Sequence, residues 1–255
     1  MGRGGQERPG AFILPIVYIK FALRSTAGAK TSYLIVLLRR FYAKLPRNVP
    51  PRTIFLLRHG QTDFNVQGIV QGSGIDSSLN ETGRRQAGQF FAAYGHVPFD
   101  KIYTSALRRT HESVQQFLDL GLPHEVHSGL NEISWGVREG TRITIEEDAE
   151  YRQVLASWAA GHTHGRLTGG ESPEEVAARQ RPVIELLKSR EDEQTVLVCM
   201  HGRAMRVLLC QLLNYPLSHM EWFEHRNLCL YKLEFTGTVF TIKNFLDVSH
   251  LELVS

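Results

Sequence analysis

Cysteine is scarce and badly placed for cross-linking. Cys199, Cys210 and Cys229 are the only three, and their odd number, wide spacing and apolar settings argue against disulfides and for buried thiols in a reducing, cytoplasmic compartment. Zinc-type spacing is missing as well. His162 and His164 in GHTHG have no further ligands nearby and read as a polar loop, so no metal and no cofactor is expected. Long apolar runs are also lacking: AFILPIVYIKFAL and SYLIVLL are short and interrupted by Lys20, Arg24 and Lys30, which argues against a transmembrane segment. Between Met1 and Met200 there is no methionine. No tandem repeat and no low-complexity tract is present.

What remains is ordinary globular material, with 255 residues, 42% hydrophobic and 22% charged, enough for one catalytic domain with a full core. The formal charge of +3 hides two opposed regions. Residues 1–52 hold ten basic side chains against the single acid Glu7, whereas the rest carries 19 basic and 25 acidic groups. An acidic body disfavours nucleic acid as a partner. The basic leader reads first as an extension that is disordered or not native, translated from a misassigned start. Its alternatives are an organelle-targeting peptide or a surface-lying membrane segment.

LPRNVPPRT, with three prolines in nine residues, reads as a linker, which puts the domain boundary near Thr53 and a catalytic domain over 53–255. TIFLLRHG then has the pattern of a buried parallel strand ending in a functional loop. After a polar loop through GIVQGSGIDSS, Asn80 caps a helix expected over Glu81 to Tyr94. FDKIYTS is a strand, ALRRTHESVQQFLDLG a helix closed by Gly121, and HEVHSGLNEI a weaker strand. The region from Thr144 to Gly161 reads as a helix and loop. SPEEVAARQRPVIELLKSRE reads as a helix opened by Ser172 and kinked or broken at Pro182. TVLVCMHG is the most hydrophobic strand, RAMRVLLCQLLN the helix behind it, and LCLYKLEFTGTVFTIKNF a hairpin around Thr236-Gly237. Strands alternating with helices predict an α/β three-layer sandwich with a mainly parallel sheet flanked by helices. Ligands in such sheets bind at the carboxyl ends of strands, and two strands end there in the same dipeptide, His-Gly.

Arg-His-Gly alone is weak, a chance event in roughly one of a few dozen chains of this length. Its company is more specific: RHGQTDFN at 58–65, SLNETGRRQA at 78–87, YTSALRRT at 103–110, LNEISWGVREG at 130–140, GGES at 169–172 and VLVCMHG at 196–202. These six blocks, in this order, resemble the histidine phosphatase superfamily, whose other well-known branch is the cofactor-dependent phosphoglycerate mutases. The resemblance runs from about Thr53 to Asn214 and implies a phosphoglycerate mutase-like fold with a phosphate pocket.

Phosphoryl transfer spreads charge over three equatorial oxygens, so positioning and electrostatic stabilisation do most of the work. Arg58 and Arg109 would offer planar, permanently charged forks to those oxygens. A nucleophilic His59 needs one ring nitrogen unprotonated while the other donates to a backbone carbonyl. His201 would donate to the transferring group from the opposite side, its alternative being a satisfied core histidine. The resemblance makes Glu132 the general acid, with a solvated loop carboxylate as the alternative. Counting from Thr104-Ser105 in the matching block selects Arg109 over Arg108, and on a helix the two point about 100° apart. Asn65 and Thr62 are candidate phosphate partners. Gln71 is a candidate substrate contact that reads almost equally as a surface glutamine, and Glu171 a substrate contact beside the helix-capping Ser172.

Two positions depart from the family pattern. Arg203 follows His201-Gly202 where a small or uncharged residue is usual; it either adds a second anion site or points away along the helix. Ser134 stands where many phosphatase members carry an acid. The expected activity is a metal-independent phosphatase that hydrolyses the phosphomonoester of a small metabolite through a phosphohistidine, by a chain for which a homodimer is left open. The alternatives are mutase-type phosphoryl transfer, a non-catalytic phosphate-binding module of the same fold, and a phosphoprotein phosphatase recruited by its leader.

Overall fold

The computed structural model describes residues 50–142 and 149–252. The leader's expected properties, and the start of the helix expected from Thr144, lie outside these residues. Six strands form one sheet: β1 (Arg52–Arg58), β2 (Lys101–Thr104), β3 (His124–Val126), β4 (Thr195–Met200), β5 (Leu230–Phe235) and β6 (Phe240–Asp247). Their order is β3-β2-β4-β1-β5-β6. The first four are mutually parallel, and the closing hairpin adds β5 antiparallel to β1 and β6 antiparallel to β5. The helices are α1 (Asp63–Gln67), α2 (Glu81–Tyr94), α3 (Arg108–Asp119), α4 (Ala149–Ala159), α5 (Pro173–Ser189) and α6 (Gly202–Leu212).

Period-two alternation explains why the interiors of β1 and β4, Ile54–Leu57 and Val196–Met200, are apolar on both faces. Ile54, Leu56, Val196, Val198 and Met200 face one core with Val176 and Val183 of α5 and Met205 and Leu208 of α6. Phe55, Leu57, Leu197 and Cys199 face the other, with Phe90 of α2 and Val114 and Phe117 of α3. A central strand covered on both faces must be hydrophobic on both, and that produces three layers. Truncating a fully buried Leu57 to alanine would cost about 2–5 kcal/mol. All three cysteines are buried and unpaired.

Local chemistry sets the element ends. The Asn80 side chain accepts from the Gly83 N–H at 2.8 Å, which starts α2. Ser172 and Glu175 form a reciprocal capping box that starts α5. Gly121, with φ 78°, turns the chain after α3 in a conformation a side chain would resist. Pro182 does not break α5, which continues to Ser189. Val183, Ile184 and Leu187 beyond it are all buried, and that packing outweighs the one lost backbone bond. Arg52, counted above among the leader's cations, is the first residue of β1, and its guanidinium donates to the carbonyls of Leu187, Lys188 and Arg190 at the end of α5.

No helix among the described residues is long and apolar enough to cross a membrane.

Candidate active site

β1 and β4 are parallel neighbours in register, Arg58 opposite Met200, so the segments that follow them leave the sheet side by side. The His59 N–H still donates to the Met200 carbonyl at 3.0 Å, one residue past the strand end. This brings the His59 and His201 rings to 5.1 Å between centroids. Close approach then fixes the loop after β1. A Cβ on Gly60 would stand 2.8 Å from the Gly83 carbonyl oxygen, and one on Gly83 2.1 Å from that of Gln61, so the loop can lie against the start of α2 only with glycine at both positions. The Gly60 N–H donates to Ser113 Oγ of α3 at 2.9 Å.

The hydrogen bonds assign the tautomers. His59 Nδ1 lies 2.7 Å from the Gly60 carbonyl, which can only accept, so Nδ1 carries the proton and Nε2 the lone pair. His59 is 3% exposed. Burial, then the Arg58 and Arg109 charges, hold it well below the usual histidine range and keep the ring neutral. His201 is fully buried, and its Nδ1 accepts from Arg109 Nε at 3.2 Å. The Nε2–H of His201 therefore donates to Ser105 Oγ at 2.7 Å. Burial and the Arg109 charge push this ring down as well.

Arg109 is fully buried at the start of α3, while the Arg108 side chain is 60% exposed beside Asp76. Besides His201, Arg109 donates to the carbonyls of Ile75 and Gly72 in the glycine-rich loop. Its pKa is pushed down to about 10, by burial, with Glu132 and Asp76 opposing, so it remains cationic at neutral pH. Arg58 Nη1 donates to His225 Nδ1 at 3.0 Å, while its Nε is buried without a partner.

Glu132 is 7% exposed and sits against the first turn of α6. Its Oε1 accepts from the Ala204 and Ile133 N–H groups at 2.8 and 2.9 Å, and its Oε2 from Arg203 N–H at 3.1 Å. Arg179 of α5 clamps the backbone of this loop, donating to the carbonyls of Glu132 and Gly129. Glu171 holds Arg179 in turn, accepting from its Nε and Nη2 and from the Ser134 N–H. Glu171 is thus one step from the cleft, and its carboxylate braces the Glu132 loop.

Thr62 and Asn65 form the capping box of α1: Thr62 Oγ1 accepts from the Asn65 N–H at 3.2 Å and Asn65 Oδ1 from the Thr62 N–H at 3.1 Å. Thr62 is fully buried and also accepts from Gln71 Nε2, and Asn65 accepts from Asn227 Nδ2. The first role of this pair is to shape the turn after His59. Gln71 is no free surface glutamine, since it bonds Thr62 and Ser77 and lines the cleft.

That cleft has a volume of about 370 Å³, and Arg58, Gln71 and Glu132 share it with Arg203, Arg206, Glu221 and His225. His225 is neutral, its pKa pushed down to about 2 by burial and by Arg58, Arg206 and Arg203. A Cβ on Gly202 would stand 2.7 Å from His225 Nε2, which gives a steric reason for glycine after His201. Motif reading missed Arg179, Ser105, His225 and Glu221, because each acts through a contact remote in sequence.

Comparison with known proteins agrees with this geometry. Residues 54–248 match the profile of the histidine phosphatase superfamily, branch 1. The chain is 34% identical over 180 residues to human 6-phosphofructo-2-kinase/fructose-2,6-bisphosphatase 1, a match that covers 69% of this chain and 36% of that protein. The chain thus spans about a third of that bifunctional relative. It is 28% identical over 207 residues to a probable phosphoglycerate mutase of Erwinia tasmaniensis, covering 78% of this chain and 94% of the relative. Among solved structures, a mycobacterial glucosyl-3-phosphoglycerate phosphatase superposes with a TM-score of 0.66 at 27% identity, over 77% of this chain and 99% of that one. With these matches and a mainly parallel six-stranded sheet that sets two histidines at its carboxyl edge, the chain belongs to branch 1 of the histidine phosphatase superfamily.

Proposed function

We propose that the protein is a metal-independent phosphatase that hydrolyses a phosphomonoester of a small metabolite through a phosphohistidine on His59. The observation that carries this reading is the His59 ring itself. It is neutral, with its proton tied to the Gly60 carbonyl and the Nε2 lone pair left to attack.

In the first half-reaction Nε2 bonds to phosphorus as the ester P–O bond breaks, and the leaving oxygen takes a proton from the Glu132 carboxyl. Arg58 and Arg109 bear the charge that builds on the equatorial oxygens. His201 joins them through its Nε2–H, which Ser105 Oγ holds in place until a phosphoryl oxygen competes for it. In the second half-reaction water attacks phosphorus, gives its proton to the Glu132 carboxylate, and the P–N bond electrons return to Nε2. Both rings are built on strand ends and held by backbone or buried partners, which keeps them pre-aligned.

The test is a panel of phosphorylated metabolites assayed for released phosphate, with and without chelator. Release that survives chelation and disappears in His59→Ala is expected. Isomerisation of 3-phosphoglycerate faster than its hydrolysis would replace this reading with the mutase one, and inhibition by chelator would contradict the metal-free route.

A further inference from the structure

We infer that His250 is a positioning residue for the nucleophile: its ring plugs an aromatic recess on α2 and from there holds Leu228 in the backbone conformation that grips the His59 carbonyl. The inference deepens the phosphatase reading and rests on it for the role of His59.

The grip lies in the hydrogen bonds. The His59 carbonyl accepts from the Leu228 N–H at 3.3 Å and from Asn227 Nδ2 at 3.2 Å, and Asn227 Nδ2 also donates to Asn65 Oδ1 of the α1 cap. Leu228 reaches that carbonyl with φ 55°, a left-handed conformation that a leucine keeps only where its surroundings hold it. Its side chain is fully buried, and a Cβ on Gly60 would stand 2.9 Å from Leu228 Cδ2. Leu228 thus fills the space beside the residue that follows the nucleophile.

What holds Leu228 is the short 3-10 helix Ser249–Leu251, which follows β6. Asp247 caps it, accepting from the Ser249 N–H and hydroxyl, and Gln89 of α2 donates to the Leu251 carbonyl. Between these ties His250 is 1% exposed, its ring edge-on to Phe90 at 5.2 Å and to Tyr94 at 5.8 Å, with the Leu228 backbone against it. The other end of α2 carries Gly83, which lies against Gln61, so His250 joins both supports of the loop after β1. Neither ring nitrogen makes a hydrogen bond. Shape therefore carries the contact, and the nitrogens make it sensitive to acid. Asp247 at the end of β6 and Tyr94 on α2 are the titratable groups that face the ring, the first held ionised and the second neutral. Burial keeps the ring below the usual histidine range although the Leu228 backbone and Asp247 favour a proton. A proton on His250 thus works against the docked turn.

Three measurements on the full chain test this. With phenyl phosphate at about pH 7.5, His250→Ala should lower kcat about tenfold and move KM by less than about twofold, because the emptied recess lets Leu228 relax without touching the phosphate-binding groups. His250→Phe refills the recess and should keep kcat within about twofold; at about pH 5 it should retain roughly threefold more of its activity than the native protein does. Hydrogen exchange at the Leu228 amide should speed up in His250→Ala by about tenfold more than at Leu197 in the core of β4. Native kcat in His250→Ala, a loss that falls on KM, native and His250→Phe pH profiles that run parallel, or equal acceleration at Leu228 and Leu197 would each overturn the inference. Where His250→Ala folds poorly, the pH profiles of His250→Phe and the native protein still decide. A native protein inert on phenyl phosphate would count against the phosphatase reading instead, and the Leu228 amide would still report the grip.

Discussion

His59 and His201 open the same His-Gly dipeptide at the ends of adjacent parallel strands, yet their rings are held in opposite tautomers. At β1 the Nδ1 proton goes to the next residue's carbonyl and Nε2 keeps a lone pair. At β4 Nδ1 faces an arginine N–H, which cannot accept, so the proton moves to Nε2 and the ring becomes a donor. The residue type and its place in the fold are the same in both; the neighbour assigns the chemistry. A ring with a free Nε2 lone pair and a ring with an Nε2–H donor thus arise from one sequence pattern used twice, and the sheet sets them 5.1 Å apart. The proposed mechanism uses the first as nucleophile and the second as stabilising donor.

The largest expected effect separates the two histidines. His59→Ala should cost on the order of 10,000-fold in kcat or more, because no other side chain supplies the lone pair. His201→Ala should cost roughly 100- to 1,000-fold, the loss of one preorganised donor, and leave measurable turnover. Equal losses in the two variants, read by phosphate release under saturating substrate, would break the division of roles.

Glu132→Gln should depend on the leaving group. Alkyl phosphates need the proton and should slow by roughly 100-fold or more, whereas aryl phosphates should lose much less. Equal losses on both would count against the acid assignment. Arg179→Gln, which frees the backbone of the Glu132 loop without touching substrate, should reproduce that leaving-group bias at about tenfold. A uniform drop across substrates would reduce Arg179 to a structural role.

The smallest effect is on stability. Both rings are held neutral by burial and cationic neighbours below their ordinary value of 6.5, while in the unfolded chain they protonate near it. The folded protein then binds fewer protons. Stability should be full above 6.5 and fall as the pH drops toward the lowered values, by about 1.4 kcal/mol per pH unit for each ring. Urea unfolding between about pH 7.5 and about pH 5 would check this, with His59→Gln expected to flatten the slope. An unchanged slope would mean that the ring is not held neutral.

Much of this was legible in the sequence, for local reasons. Asn80, Ser172 and the Thr236-Gly237 turn act on neighbours within a few residues, so their patterns announce helix starts and a hairpin. The family resemblance singled out Arg109 over Arg108 by its count from Thr104-Ser105, helical geometry allowed only one of the two to face inward, and Arg109 is the buried one. The Arg179 clamp, the His225 partner of Arg58 and the Glu221 bridge to Arg203 were not legible, since each joins segments that share no motif and meet only in the folded chain. Two sequence readings changed in weight. Thr62 and Asn65 bond each other as a helix cap, and Glu171 braces Arg179. A polar side chain beside a catalytic motif can serve the backbone as readily as the substrate, and only the geometry separates the two uses.

The most direct test of the account is to trap the phosphoryl group. Rapid mixing with substrate, an alkaline quench that preserves phosphohistidine, and peptide mass spectrometry with phosphorus NMR would locate the label. The prediction is a phosphoryl group on His59, bonded at Nε2. Label on His201, label at Nδ1 of His59, or steady turnover with no covalent phosphate at any time point would contradict it.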